Sequence, residues 1–260
     1  MVRLVSALGM AATTAAVAGW AAPALLRGRV LRVALCPGMA GVGEPGHIAL
    51  TFDDGPDPEG TPAVLAALDR LGWTATFFML GAQVTRYPEM AAAVVAAGHE
   101  AAVHGFSHRN HLARGPVEVH RDVARAASVV LAATGMRPIW FRPPYGVLTS
   151  GSLVAARHAG LRPVLWTAWG RDWEACNAAQ VAGVLAGQLK SGGTVLLHDS
   201  DCTARASGSW RATVQALPRL AELADRLGCT VGPLREHLGE LRLAADPGRE
   251  RRAGRVRRAD

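Results

Sequence analysis

HIALTFDDGPDP (His47 to Pro58) is the stretch on which the reading of this chain turns. Its first six residues alternate in hydrophobicity as a buried β-strand does, and they lead into two carboxylates, Asp53 and Asp54. Gly55-Pro56 then turns the chain sharply. A hydrophobic strand that delivers acids to its carboxyl end is how parallel-sheet enzymes present their chemistry. Asp-Gly and Asp-Pro are also ordinary turn formers, so at this point the acids read equally as site residues or as turn residues.

Working outward, helical and strand-like stretches alternate. Thr61 to Gly72 is predicted helical, with Pro62 near the first turn and Gly72 closing it, and TATFFML (Thr74 to Leu80) is a strand. Helices follow at Pro88 to Ala97, Val117 to Thr134, Gly151 to Gly160, Ala178 to Lys190 and Arg211 to Leu227. Between them PIWFR (Pro138 to Arg142), PVLWTAW (Pro163 to Trp169), GTVLLH (Gly193 to His198) and CTVGPL (Cys229 to Leu234) read as strands. The expected fold is α/β, a distorted (β/α) barrel of about seven units preceded by an N-terminal hydrophobic helix. No internal repeat is visible. Asp53, Asp54, Arg142, Asp172 and His198 all fall at or just after strand ends, the face where barrels place their sites.

Four further stretches carry chemistry. In VHGFSH (Val103 to His108), His104 and His108 are four apart and can offer two imidazoles to one ion, with His99 and His111 flanking them. With Asp54 they make a two-His, one-carboxylate set that leaves coordination positions open. FRPPYG (Phe141 to Gly146) holds Arg142 and Tyr145 on a loop stiffened by two prolines, where the arginine can pin a carboxylate in bidentate fashion or serve structure alone. WGRDW (Trp169 to Trp173) supplies Asp172, and VLLHD (Val195 to Asp199) delivers His198; a carboxylate beside a histidine keeps the imidazole charged and oriented.

TFDDGP, GHE followed by HGFSH, RPPY, DW and LLH, in this order and spacing, resemble the motif series of the NodB-homology polysaccharide deacetylases, carbohydrate esterase family four. The resemblance runs from about His47 to Leu234. It implies a hydrolase that removes N-acetyl or related N-acyl groups from amino sugars with a divalent metal, usually zinc, with cobalt, manganese or nickel as alternatives. It makes Asp53 the base, Asp54, His104 and His108 the metal ligands, Arg142 the residue that orients the base, His198 the acid and Asp172 its tuning partner. Tyr145 falls where a backbone amide holds the oxyanion, and Trp173 and Leu196 fall where the acyl pocket is lined. Two positions depart from the family pattern. Gly105 stands where Ser or Thr usually braces the metal loop, and Trp169 stands where an Asp is usual, adding a candidate sugar-stacking or lipid-facing wall; Trp166 reads as barrel packing.

The remaining chain bounds the setting. The protein has 260 residues and a net charge of +7, and six arginines against three acids crowd the segment from Asp246 to Asp260. With +4 left before the tail, and no basic face interleaved with stacking aromatics, nucleic acid is excluded as a partner. Leu4 to Leu26 is an uncharged run of 23 residues, long enough to span a bilayer, and its small-residue patterns also fit a cleavable signal. Arg27, Arg29 and Arg32 follow it, and Val33 to Val42 is a weaker apolar stretch interrupted by Pro37. The expected division is 1–45 as signal or anchor segment and linker, 46–240 as deacetylase domain, and 241–260 as a disordered tail. The expected protein is a monomer, membrane-anchored or secreted and working outside the cytoplasm on an N-acetylated glycan or a lipid-linked amino sugar. Two of Cys176, Cys202 and Cys229 can pair if it is exported. The rivals are a non-haem iron oxygenase, which leaves Asp53, Arg142 and His198 idle, and a sugar-binding homologue without activity.

Overall fold

β1 (His47–Asp53) is the strand to which the rest of the sheet is registered. The structure, a computed structural model, describes residues 14–174, 177–204 and 207–238. The other strands are β2 (Thr76–Met79), β3 (Glu100–Val103), β4 (Trp140–Phe141), β5 (Arg162–Pro163), β6 (Ala168–Trp169), β7 (Thr194–His198) and β8 (Thr230–Gly232). They run in the order β5-β4-β3-β2-β1-β7-β6, and every pairing is parallel. β7 takes one edge of β1 along Ala49 to Asp53. β8 and β2 share the other edge, β8 against His47 to Ala49 and β2 against Thr51 to Asp53. The sheet curls into a distorted barrel whose seam lies between β5 and β6, as the alternating sequence pattern predicts.

The helices are α1 (Arg29–Leu35), α2 (Gly60–Leu71), α3 (Gly81–Arg86), α4 (Pro88–Ala96), α5 (Pro116–Thr134), α6 (Ser150–His158), α7 (Ala178–Ala186), α8 (Trp210–Arg226) and α9 (Leu234–His237). Their apolar stripes cover the outside of the sheet. In α8, Ala212, Thr213, Ala216, Leu217, Leu220, Leu223 and Ala224 recur at helical spacing and are all buried. They share the main core with Leu50, Phe52, Phe77, Met79, Phe141, Val195 and Leu197, the outward residues of the strands. Strand side chains alternate, so the intervening residues point into the barrel. There Ala49, Phe78, Ala102, Trp140 and Val164 form a smaller cluster, closed below by Leu234 and Leu238. Followed toward the carboxyl end, the inward rows turn polar at Asp53, His104, Arg142 and His198. That change of character places the site.

Three local expectations are corrected. β3 was not foreseen, because its sequence is EAAV and alanine and glutamate favour strands poorly. Its inward Glu100 is buried and satisfied by Thr76 Oγ1 at 2.7 Å and Trp140 Nε1 at 3.0 Å, which pins β3 between β2 and β4. PVLWTAW is not one strand. It breaks into β5 and β6 because the carbonyls of Val164 and Leu165 turn to the Arg142 guanidinium instead of pairing in the sheet. Val33 to Val42, apolar enough in sequence to suggest a second pass through a membrane, instead packs on the barrel: Ala40 is fully buried, and Leu165 N donates to Met39 O at 2.8 Å, so this segment closes the seam.

Of the N-terminal apolar run, residues 14–21 are helical and a 3₁₀ turn (Ala22–Arg27) with Pro23 in its first turn follows. Among the described residues no helix is long and apolar enough to cross a membrane. Residues 1–13 and the predicted tail, 241–260, lie outside the described residues. Cys36, Cys202 and Cys229 are free thiols, and Cys176 lies outside the described residues.

Candidate active site

The chain leaves β1 through Asp54 at φ +78. Left-handed backbone is uncommon away from glycine, aspartate tolerates it better than most residues, and such strain collects at functional sites. The turn sends two neighbouring carboxylates to different partners. Asp53 Oδ1 accepts from Arg142 Nη1 at 2.7 Å, while its Oδ2 lies 3.7 Å from His104 Nε2. Asp54 Oδ1 lies 3.4 Å from His104 Nε2 and 3.6 Å from His108 Nε2, and its Oδ2 accepts from Thr203 Oγ1. One ligand atom from each of Asp54, His104 and His108 falls within 4.8 Å of the others.

This donor set fits a divalent cation on three counts. Asp54 Oδ1 is buried with no hydrogen-bond partner among the described residues, a costly state for an acceptor that nothing else is to engage. His104 Nδ1 is committed to Arg142 O at 2.8 Å, which leaves Nε2 facing Asp54. Burial pushes the pKa of His108 down to about 4 against the pull of Asp54, so the imidazole is neutral at pH 7 and its lone pair is free to coordinate. The Asp54 carboxyl lies below its ordinary range, because the histidines around it, His108 first as it gains its proton in acid, outweigh the burial that opposes ionisation; Asp54 is therefore already charged wherever His108 is neutral.

Arg142 is fully buried and spent on four acceptors: Asp53 Oδ1, Thr51 Oγ1 at 2.9 Å, Leu165 O at 3.0 Å and Val164 O at 3.4 Å. Asp53 is thereby held by one oxygen with the other turned toward the histidines. On β7, in register beside Asp53, His198 Nδ1 meets Asp172 Oδ1 at 2.9 Å, and Asp172 Oδ2 accepts from His198 N and Thr213 Oγ1, each at 2.6 Å. Burial works against charge on His198, but Asp172 first, then Asp54 and Asp53, push its pKa up to about 10. The ends of two neighbouring strands thus bring together a carboxylate held by Arg142 and a charged imidazole held by Asp172.

Tyr145 has φ +61, and its exposed ring packs 4.4 Å from that of His108. Leu196 precedes His198 by two on β7 and so shares its face; Trp169 registers beside Leu196, and its ring stacks on Trp173 at 6.1 Å and 14°. Register and stacking thus bring these three apolar side chains together on the side of β7 away from β1. The flanking histidines do not join the site. His99 accepts from Ala75 N at 3.2 Å and packs on Phe77, and His111 contacts Ser152 Oγ at 2.9 Å and packs on Phe141.

Sequence reasoning missed Asp122, Thr51, Thr203 and Thr213. Asp122 accepts from Phe106 N at 2.7 Å, Ser107 Oγ at 2.7 Å and Arg114 Nη1 at 2.6 Å, and so holds the loop that carries both histidines. A signal existed: Asp122 is an acid in the buried stripe of α5, between Val119 and Val123, and Thr213 breaks the stripe of α8 in the same way. Thr203 gives no such signal. Gly105 is explained as well. Its φ is +86, and a Cβ there would lie 2.9 Å from Asp122 Oδ2, so the brace comes from the helix. Gly105→Ser is therefore expected to destabilise the fold by about 1–3 kcal/mol, through positive-φ strain and displacement of the carboxylate. Thermal unfolding checks this; an unchanged or raised Tm would remove Asp122 from the account.

Residues 40–164 match the polysaccharide deacetylase family. Over 195 residues the chain is 35% identical to a chitooligosaccharide deacetylase from Bradyrhizobium sp. (strain ANU 289), covering 72% of this chain and 88% of that protein. A peptidoglycan-N-acetylglucosamine deacetylase of Bacillus cereus (strain ATCC 14579) is 36% identical over 155 residues, 58% of this chain and 72% of its own length. The crystal structure of a peptidoglycan N-acetylglucosamine deacetylase bound to an N-hydroxybenzamide superimposes with a TM-score of 0.70 at 26% identity, covering 76% of this chain and 90% of that one.

Proposed function

The chain belongs to the polysaccharide deacetylase family, and on that premise we propose that it removes N-acetyl groups from amino sugars of a cell-wall or surface glycan, using zinc held by Asp54, His104 and His108. It is a hydrolase of carbon–nitrogen bonds in linear amides, and the reading of its residues rests on one observation. The inward rows of β1, β3, β4 and β7 turn polar at the same end of the barrel, where a metal set, a carboxylate and a charged imidazole meet.

A divalent ion in that set supplies a polarised amide carbonyl and a water acidic enough to lose a proton near neutral pH. Asp53 is the base: Arg142 fixes Oδ1, and Oδ2, facing the ligand histidines, takes the proton of the attacking water. The amide of Tyr145 helps hold the oxyanion. His198 is the acid. Asp172 engages its Nδ1, so Nε2 is the atom that protonates the leaving nitrogen, and the products are acetate and a free amine. Leu196, Trp173 and Trp169 line the acyl and sugar side of the cleft.

The domain division proposed is 1–45 as signal or anchor segment and linker, 46–240 as the deacetylase domain and 241–260 as tail, with the domain outside the cytoplasm. A second substrate class is favoured by one observation. The cavity of about 580 Å³ that opens beside His108 and Tyr145 also has Arg109 in its wall, a cation that suits the phosphate of a lipid-linked amino sugar, whereas Arg114 there is paired with Asp122 and Glu118 adds an acid. Incubating the chain with Zn²⁺ on chitooligosaccharide, peptidoglycan fragments and a lipid-linked amino sugar is expected to release acetate from at least one, and chelation is expected to abolish the release. Acetate release that persists in the metal-free protein would sink the metal assignment.

A further inference from the structure

Arg32 is a buried charge that the mechanism leaves unused. It comes from α1, ahead of the barrel, and is 2% exposed, with no carboxylate within ion-pair distance among the described residues. Its Nη1 donates to Leu26 O and Arg27 O, each at 3.1 Å, and its Nη2 donates to Trp166 O at 2.5 Å. Its guanidinium also lies 5.5 Å from the centre of the Trp166 ring. Burying a guanidinium without a counter-ion is expensive, and an apolar side chain of similar volume would fill the place at lower cost.

The charge is spent at the barrel seam. Residues 164–167 connect β5 to β6 without belonging to either strand, and each is fastened separately. Val164 N donates to Phe141 O at 2.9 Å, Leu165 N to Met39 O at 2.8 Å and Thr167 N to Thr194 O at 3.0 Å, while Trp166 O receives Arg32. Two of the four fastenings thus come from the segment ahead of the barrel. The strip they hold is the seat of Arg142, whose Nε and Nη2 donate to Val164 O and Leu165 O. The Trp166 ring bears on the other side of the site too. It fills the place of a Cβ at Gly146, at 2.6 Å, directly behind Tyr145, and the Arg142 guanidinium lies 5.6 Å from its centre.

We propose that Arg32 is a positioning residue for catalysis: by fastening Trp166 it fixes the strip that seats Arg142, and through Arg142 the direction in which Asp53 faces. The inference rests on the reading of Asp53 as the base, and it makes the segment read as a linker a working part of the site. A shift of about 1 Å in a catalytic group costs on the order of 100-fold in rate, so loosening the seat is expected to lower kcat and leave substrate binding nearly alone.

The test uses the full chain loaded with Zn²⁺, comparing Arg32→Met, Arg32→Lys and, as a control, Arg29→Ala on the exposed side of α1. Arg32→Met is expected to lower kcat about tenfold or more with KM nearly unchanged and zinc content intact; Arg32→Lys is expected to recover part of the loss. In an Arg142→Lys background the further effect of Arg32→Met is expected to shrink, because both changes strike one unit. A second readout needs no turnover: exchange of the Arg142 Nε proton with solvent, followed by NMR, is expected to quicken in Arg32→Met and in Arg32→Lys. An unchanged kcat in a folded Arg32→Met, an equal loss in both backgrounds, or unaltered exchange would overturn the proposal. A wild-type chain inactive on every glycan would instead defeat the functional reading, and the exchange measurement would still decide the role of Arg32.

Discussion

Asp53→Asn is expected to lower kcat by about 10²–10⁴-fold with little change in KM and none in zinc content. The substitution keeps the shape of the side chain and lets it remain beside Arg142, but it removes the basic oxygen that faces His104. Asp53 is 3% exposed and touches none of the groups proposed to grip the sugar, so ground-state binding is preserved. The control is internal: Asp54→Asn, one residue on, is expected to lose metal and activity together. Steady-state kinetics with metal analysis separates the two. Equal metal loss in both variants would show that the neighbouring carboxylates do not have distinct roles.

The second large effect concerns His198. His198→Gln is expected to cost about 10²–10⁴-fold in kcat, because the departing nitrogen then leaves without a proton donor. The pH dependence follows from the pair it forms with Asp172. The imidazole is raised from its ordinary 6.5 to about 10 in the metal-free site, so it is charged throughout the neutral range and loses its proton only as the pH climbs toward that value. The sign for stability is the same: the pair's contribution is full below pH 6.5 and is lost as the pH rises through about 10. A bound cation offsets the share contributed by Asp54, so the alkaline limb of the loaded enzyme lies below that value. Asp172→Asn removes the largest favourable partner and is expected to move the limb further toward neutrality. A limb that stays in place would separate Asp172 from the acid.

The fold was legible wherever local and global signals agreed. The strand at His47, the long helices that follow and the polar residues at strand ends all announce themselves through periodicity, and the structure puts them where a barrel requires. What was hidden depended on partners distant in sequence. EAAV is a strand only because Glu100 is caught between Thr76 and Trp140. PVLWTAW is broken only because Arg142 and Met39 compete for its backbone, and no windowed pattern contains that competition.

The candidate site divides along the same line. Asp53, Asp54, Arg142, Asp172 and His198 stand out at strand ends and His104 and His108 by their spacing, and the structure brings them to one end of the barrel. The groups that hold them, Asp122 under the histidine loop, Thr213 behind Asp172 and Arg32 behind the seam, look in sequence like exceptions to an apolar stripe or a basic flank. Buried polar residues inside apolar stripes are therefore the feature most worth marking when such a chain is read.

The central claim is that water, activated at the Asp54, His104 and His108 set, cleaves an N-acetyl amide. Turnover of an N-acetylated chitooligosaccharide or peptidoglycan fragment in H₂¹⁸O tests it most directly. The account predicts acetate carrying one ¹⁸O atom, released in equal amount with new primary amine, absent from the chelated protein and restored by Zn²⁺. A protein that binds zinc and glycan but releases neither acetate nor amine would contradict it and leave a sugar-binding homologue.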